Sequence, residues 1–535
     1  MPRPRAHPLA LGALVTVALA LRLPALDRLP NPCGDEGNWA WYGRELAAGR
    51  AVALDPDARF VSLAFARAIA LSIKLFGVSF GAVRAPLVAG VAAGMLVAWA
   101  LARRLGAPRA GLALAALLAV HPWSVMWSRT ATVPYALALP LALCATLALL
   151  LAARGTSPWR WSLAGALFGA GMHLTPLALL PALAAGGFLL AHRRALARTR
   201  GPWIALAVAS LTAAPVVWGA LHVARQGATR PRHFFTLLGD RLAVYLRTLL
   251  GSLSGDATLR HFVGPRPSLA AELLAIGGCA ALLGLAMRDD ARDDDLARDL
   301  ARLTRWTTGT ALLGTALLLA PARTWNLPAI DAERYGFTLL GPFALALATL
   351  SLRARTRHLP WVACALLLAG PTRATLSALH RGAGADHGFW TLAGGGGYRG
   401  WKTSASQRPL PVEIARAVDD LRAGAPATVV VADYAFHTLP FATGDAPVES
   451  VDVSKSPLPQ AFGRVHVFVR WADGLLAPGF TPTEDVAAND ALTALMRSPR
   501  FSDLRLVRRI TQRDGAALVE LWRATPSPHG AHRGE

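Results

Sequence analysis

What most limits the fold of this chain is a series of apolar blocks. Along the first 380 positions, stretches of about 20 residues run nearly free of charge, the length that crosses a bilayer core. Gly, Pro and Arg punctuate the blocks. Of 535 residues, 53% are apolar and 16% charged, against roughly 25% charged in soluble domains. A soluble globular enzyme, a coiled coil and a disordered chain are excluded. The pattern describes a multi-span α-helical membrane protein with a polar C-terminal piece.

The formal net charge of +22 would suit a nucleic-acid binder, but its distribution does not. Residues 381–535 hold 17 basic and 16 acidic side chains, so nearly all the excess lies among the apolar blocks. Short basic connections there fix membrane orientation instead, and no nucleic-acid partner is expected. Cys33, Cys144, Cys279 and Cys364 are scattered, with no metal or disulfide-framework spacing.

Eleven spans are expected, at roughly 9–26, 85–102, 109–126, 133–152, 160–173, 175–191, 202–220, 268–287, 306–320, 336–352 and 359–379. No Ala-x-Ala site follows Leu26, so the first block reads as a retained span, not a signal peptide. With the N-terminus inside, 19 arginines fall on inner connections or the N-terminus. The short outer loops carry only Arg129, Arg323 and Arg334. This orientation obeys the positive-inside rule. It puts residues 27–84, residues 221–267 and everything after 380 outside, in a cytoplasmic membrane.

The chain is expected to divide into a transmembrane domain, 1–380, and a small extracytoplasmic α/β domain, 381–535. Gly394 to Gly397, Pro409 and Pro411 read as a linker. Thr428-Val-Val-Val-Ala and Val465-His-Val-Phe-Val read as strands, and Asp514-Gly515 as a hairpin turn between Leu504–Thr511 and Ala516–Trp522. The loop 221–267 carries His222, His233 and His261 without zinc-pair spacing and reads as a solvated cap. No metal site is expected.

Chemistry is most legible in the first outer loop. Gly34 breaks the chain, Asp35-Glu36 opens a helical pattern, and Trp39, Tyr42 and Leu46 share one face. Their amphipathic chemistry predicts a short helix lying on the outer leaflet. A carboxylate at its start could serve as general base on an acceptor hydroxyl or amine. Asp and Glu are also ordinary helix-start residues, so position alone leaves both readings open.

Asp35-Glu36 followed by Tyr42-Gly-Arg-Glu-Leu-Ala-Ala-Gly resembles the first-loop motif of the C-type membrane glycosyltransferases. The nearer likeness is to the bacterial branch related to dolichyl-phosphate-mannose protein mannosyltransferases and lipid A aminoarabinose transferases. Further matches follow in order: Lys74-Leu-Phe-Gly-Val-Ser-Phe-Gly-Ala-Val-Arg84, Ala102-Arg-Arg-Leu-Gly106, Pro134-Tyr135, and Arg334-Tyr335 with Gly341-Pro342. The likeness covers about residues 1–380.

This resemblance implies transfer of a sugar from a polyprenyl-phosphate carrier to a lipid, glycan or protein acceptor at the outer face, with inversion. It makes Asp35 the general base, with Glu36 assisting it or binding a divalent cation. Arg84, Arg129 and Arg334 become candidates to hold the leaving phosphate, since a guanidinium fork matches its oxygens. An arginine at a span end can equally be snorkelling to headgroups.

Two departures stand out. Many relatives carry an acid in the second outer loop, but His121-Pro-Trp-Ser-Val-Met-Trp-Ser-Arg-Thr-Ala-Thr-Val-Pro134 has none. His121 could partly stand in, though beside Pro at a span end a structural role is the more ordinary reading. Arg59-Phe-Val-Ser-Leu-Ala-Phe replaces a proline-rich aromatic patch. The rival readings are a non-catalytic scaffold for cell-envelope glycan assembly and a lipid or solute transporter. The spans' few ionisable residues and lack of repeated, broken halves weigh against transport.

Overall fold

The computed structural model describes residues 6–27, 34–50, 63–131, 134–155, 157–225, 249–255, 258–259, 269–288, 294–314, 335–381, 410–422, 427–431, 448–452, 465–472, 483–499, 501–511 and 517–526. The expected linker, the Asp514-Gly515 turn and nearly all of the loop 221–267 lie outside them. The described residues are mainly helical. In chain order the helices are α1 (Ala6–Arg22), α2 (Gly34–Ala47), α3 (Leu63–Phe76), α4 (Phe80–Arg104), α5 (Pro108–Val120), α6 (Pro122–Trp127), α7 (Tyr135–Ala153), α8 (Pro158–Met172) and α9 (Leu179–His192). Then come α10 (Arg194–Ala197), α11 (Arg200–Arg225), α12 (Leu269–Met287), α13 (Asp295–Gly314), α14 (Phe337–Leu352) and α15 (Leu359–Arg381).

A helix coincides with each of the eleven apolar blocks. Among the described residues, Phe80–Arg104, Tyr135–Ala153, Arg200–Trp218 and Ala270–Met287 are long and apolar enough by themselves to cross a membrane. Small residues let the helices approach closely. A Cβ on Gly169 of α8 would meet the Ala209 carbonyl of α11 at 2.6 Å, and one on Gly165 would strike the Ala205 carbonyl. His173 at the end of α8 adds a 2.6 Å contact from Nε2 to the Thr212 carbonyl.

The arginine-bearing connections bond to one another. Arg154, after α7, donates to the Leu105 carbonyl after α4 at 3.0 Å. Arg193, after α9, pairs with Asp299 of α13 at 2.6 Å. Arg353, after α14, donates to the Leu285 carbonyl at the end of α12 at 2.8 Å. Arginines thus join three pairs of helix ends.

Three expectations need correction. Residues 63–76 form α3 within the predicted outer loop. Phe65, Ile69 and Ile73 recur at helical spacing and are buried, while Leu71, Leu75 and Phe76 are exposed. Second, α2 does not offer its aromatic face to lipid. Trp39 and Tyr42 are buried, Trp39 packs edge-on to Phe65 of α3 at 5.3 Å, and Gly43 lets Ile69 come close. An apolar face is satisfied by protein as well as by lipid, and α3 supplies the protein. Third, α13 begins at Asp295, so Arg298, Arg302 and Arg305 lie on a helix and not in a loop. Leu296, Leu300 and Leu303 bury its inner face.

Beyond α15 lie α16 (Leu410–Arg422), β1 (Ala427–Val431), β2 (Val448–Asp452), β3 (Val465–Trp471), α17 (Thr483–Met496), β4 (Phe501–Thr511) and β5 (Ala517–Pro526). The strands form one sheet in the order β2-β1-β3-β5-β4. β2, β1 and β3 run parallel, and β5 and β4 complete the sheet antiparallel. Val429, Val431 and Val467 are buried on one face and Val430 and Phe468 on the other, as expected of strands covered on both faces. Glu520 is buried in β5 and neutralised by Arg470 and Arg509.

Candidate active site

The candidate site is assembled from the ends of α1, α4 and α5 together with α2 and α6. At its centre, Glu36 and Arg84 are both 0% exposed. Arg84 Nε donates to Glu36 Oε1 and Nη2 to Oε2, each at 2.7 Å. Such two-pronged pairing fixes orientation as well as distance. The third arm of Arg84 donates to the Leu26 carbonyl at 2.7 Å. Glu36 Oε1 also accepts the Ala131 backbone N–H at 2.7 Å. One carboxylate thus ties α2 to α4 and to the loop after α6.

Local chemistry explains why Arg84 arrives there. Gly77 ends α3 with φ +81°, a conformation that favours glycine. Ser79 then caps α4, its Oγ accepting from the Ala82 N–H at 3.1 Å. Arg84 is on the second turn of α4. The Lys74–Arg84 motif is therefore a helix stop, a helix start and a buried cation in sequence.

Arg129, 3% exposed, donates to the Leu21 carbonyl at 2.8 Å and to the Pro24 carbonyl at 2.7 Å. Burial, with the nearby Arg84 charge adding to it, pushes its pKa down to about 10, so it remains a cation at neutral pH. The carbonyls it and Arg84 use flank Ala25, which holds φ +52°. A non-glycine residue there costs about 1–2 kcal/mol. That strain turns the Pro24 and Leu26 carbonyls toward the two guanidiniums.

His121 is structural. Its Nδ1 accepts from the Trp123 N–H at 3.1 Å, and Nε2 lies 3.0 Å from the Leu253 carbonyl, which fixes the neutral tautomer with the proton on Nε2. Both ring nitrogens are used in capping α6 and tying it to the 249–254 helical segment.

Asp35 is the second residue of α2, next to Glu36; its side chain lies outside the described residues. So does Arg334, though its neighbour Tyr335 packs on Tyr135 with ring centroids 5.3 Å apart. Two distant motifs, Pro134-Tyr135 and Arg334-Tyr335, therefore meet. Phe337 stacks beside Tyr135 and Trp123 and opens onto an apolar cleft lined by Leu143, Thr146, Leu180, Thr307 and Pro342.

Sequence reasoning expected Glu36 to assist the base or hold a cation, and Arg84 to hold phosphate. In this geometry the fork of each is directed at the other. Glu36, whose two oxygens meet Arg84 and Ala131, does not fit the role of cation ligand. Among the described residues, no three His, Cys, Asp or Glu side chains converge on a metal position. Arg22 was not singled out in the sequence; its only signal there was a charge inside the first apolar block.

Residues 61–218 match the family model described as dolichyl-phosphate-mannose-protein mannosyltransferase. That stretch contains Arg84 and Arg129 but neither Asp35-Glu36 nor Arg334. No curated protein sequence matches the chain. Among solved structures, ArnT from Cupriavidus metallidurans bound to undecaprenyl phosphate matches with TM-score 0.52 at 18% identity, over 95% of this chain and 97% of that one. The same protein in the apo state matches with TM-score 0.51 at 17% identity, over the same shares. In fold over nearly its whole length, and in sequence over residues 61–218, the chain resembles the C-type membrane glycosyltransferases of the protein-mannosyltransferase and ArnT kind.

Proposed function

We propose that this protein is an integral-membrane glycosyltransferase that moves a sugar from a polyprenyl-phosphate carrier to an acceptor at the outer face of the cytoplasmic membrane. One observation carries the reading: the buried Glu36–Arg84 fork, locked to Ala131, holds the start of α2, and with it Asp35, against the bundle. The family match over 61–218 and the ArnT-like fold support it.

Asp35 takes the proton from the acceptor hydroxyl or amine. The freed lone pair attacks the anomeric carbon, the bond to the carrier phosphate breaks, and the configuration inverts. Glu36 and Arg84 position α2 and do not react. Arg334, next to Tyr335 in the sequence, is the candidate to hold the departing phosphate, with Arg129 adding positive potential. The apolar cleft beyond Phe337 suits the isoprenoid chain. Residues 1–380 form the transmembrane domain, N-terminus inside; the tail from 381 lies outside and guides the acceptor.

The acid-free second outer loop favours one rival, a non-catalytic scaffold. Protein in lipid discs is offered radiolabelled polyprenyl-phosphate hexoses and pentoses with envelope extract, and the released carrier phosphate and labelled acceptor are followed. Native turnover with an Asp35→Asn loss of about 1,000-fold is expected, within the roughly 100- to 10,000-fold that a positioned general base contributes. Donor binding without turnover in either protein supports the scaffold. Equal turnover in both removes Asp35 from the chemistry.

A further inference from the structure

Arg22 ends α1 and is 1% exposed. Among the described residues it bonds to no carboxylate, yet all five N–H donors of its guanidinium are used. Nε donates to Ser128 Oγ at 2.8 Å. Nη1 reaches the carbonyls of Ala18 and Ala119 at 3.1 and 2.9 Å, and Nη2 reaches the Leu118 carbonyl and Ser124 Oγ at 2.7 and 3.0 Å.

The sequence explains why those carbonyls need it. In a continuous helix the Leu118 carbonyl would accept from residue 122, but Pro122 has no N–H. The Ala119 carbonyl would accept from Trp123, whose N–H is turned to His121 Nδ1. The break between α5 and α6 therefore orphans two carbonyls at a helix C-terminus, where a cation is favoured. Arg22 reaches both from another helix, and the Leu118 carbonyl also accepts from Ser124 Oγ at 2.8 Å. Arg129, just past α6, returns the bond by donating to Leu21 and Pro24 of the α1 end. The two arginines form a reciprocal clasp, and two residues beyond Arg129 the Ala131 N–H holds Glu36.

We propose that Arg22 is a positioning residue for the transfer reaction: through the clasp it sets the α5–α6 corner, and through Ala131 and Glu36 the seat of Asp35. This rests on the glycosyltransferase reading. A charged side chain inside an apolar block is costly and is retained for function; all five donors of this one are taken by protein groups.

The test uses the full chain in lipid discs, comparing native protein with Arg22→Ala, Arg22→Lys and the Ser124→Ala/Ser128→Ala pair. Hydrogen exchange is read over residues 34–47 and 117–131, with 158–172 as the remote reference, alongside donor turnover. Arg22→Ala is expected to speed exchange in both near segments and leave the reference unchanged. Its kcat falls by about 100-fold, the scale of an ångström misplacement, while the donor KM stays near native. Arg22→Lys regains part of both effects. The serine pair, which keeps α1 intact, moves them the same way to a smaller extent.

Native exchange in 34–47 for Arg22→Ala overturns the proposal, as does a rise in donor KM with kcat kept. A uniform rise across all segments also overturns it, reducing Arg22 to general stability. If native protein turns over none of the donors, the reaction reading fails on that arm, and the exchange pattern still decides the clasp.

Discussion

Two interfaces of the bundle are built on opposite principles. α8 meets α11 through glycines that bring backbones together, with Gly165 and Gly169 against Ala205 and Ala209. The corner of α1, α2, α4 and α5–α6 is joined instead by Arg22, Arg84, Arg129 and one carboxylate, Glu36. Shape holds the first, through small residues and dispersion contact, with a single polar tie from His173 to the Thr212 carbonyl. Charge holds the second, where each guanidinium must find oriented acceptors or become a buried, unpaired cation. The comparison teaches where precision is kept: the packed seam maintains the bundle, and the polar corner maintains the geometry of α2.

The sharpest way to break the contrast is to unpair the corner. Arg84→Ala or Glu36→Ala leaves a buried charge alone and costs about 3–5 kcal/mol of stability, measured as loss of monodisperse protein on heating in lipid discs. Joint replacement by Arg84→Met and Glu36→Leu regains much of that stability but not turnover. If turnover returns as well, the corner is only a brace and the distinction between the two interfaces collapses.

A smaller effect is expected at the seam. Gly169→Val drives new atoms into the Ala209 carbonyl and the Thr212 side chain and costs about 1–3 kcal/mol, as overpacking does. Its kcat at saturating donor stays native at a temperature where the protein is folded. A selective fall in kcat would show that the seam also sets the site.

The smallest effect concerns the far end of α2, where Arg50 pairs with Glu45 and holds its pKa below the ordinary carboxylate value. A lowered carboxylate pKa contributes stability at neutral pH, which is lost as the pH falls through the folded-state value. Protection at 44–50, measured against the intrinsic exchange rate at each pH, should therefore fall on acidification, and Glu45→Gln should remove that loss. The pair is surface-placed, so global stability moves little. A large acid-induced loss abolished by Glu45→Gln would show that exposed charge, too, carries the corner.

Much of this was legible locally. The apolar blocks located the helices. Gly34 with Asp35-Glu36 announced the start of α2, whereas the stop at Gly77 and the cap at Ser79 were not singled out. Phe65, Ile69 and Ile73 carried the period of α3, hidden inside a segment read as a loop. Leu296, Leu300 and Leu303 likewise carried the start of α13 beneath a charged exposed face. Trp39 and Tyr42 were read as lipid-facing because an apolar face is written the same way whether lipid or protein covers it.

The sequence by itself determined which segments are helical, where they stop, and how basic residues alternate between connections, because spacing, caps and charge are properties of neighbours along the chain. Only the tertiary structure decided that Arg84 belongs to Glu36, 48 positions away, that Ala131 completes the pair, and that Arg22 reaches the Leu118 and Ala119 carbonyls left by Pro122 and the turn at His121. A guanidinium can satisfy a carboxylate, a carbonyl or a phosphate alike, and the acceptor it takes is settled by which one the packed helices bring within hydrogen-bond reach.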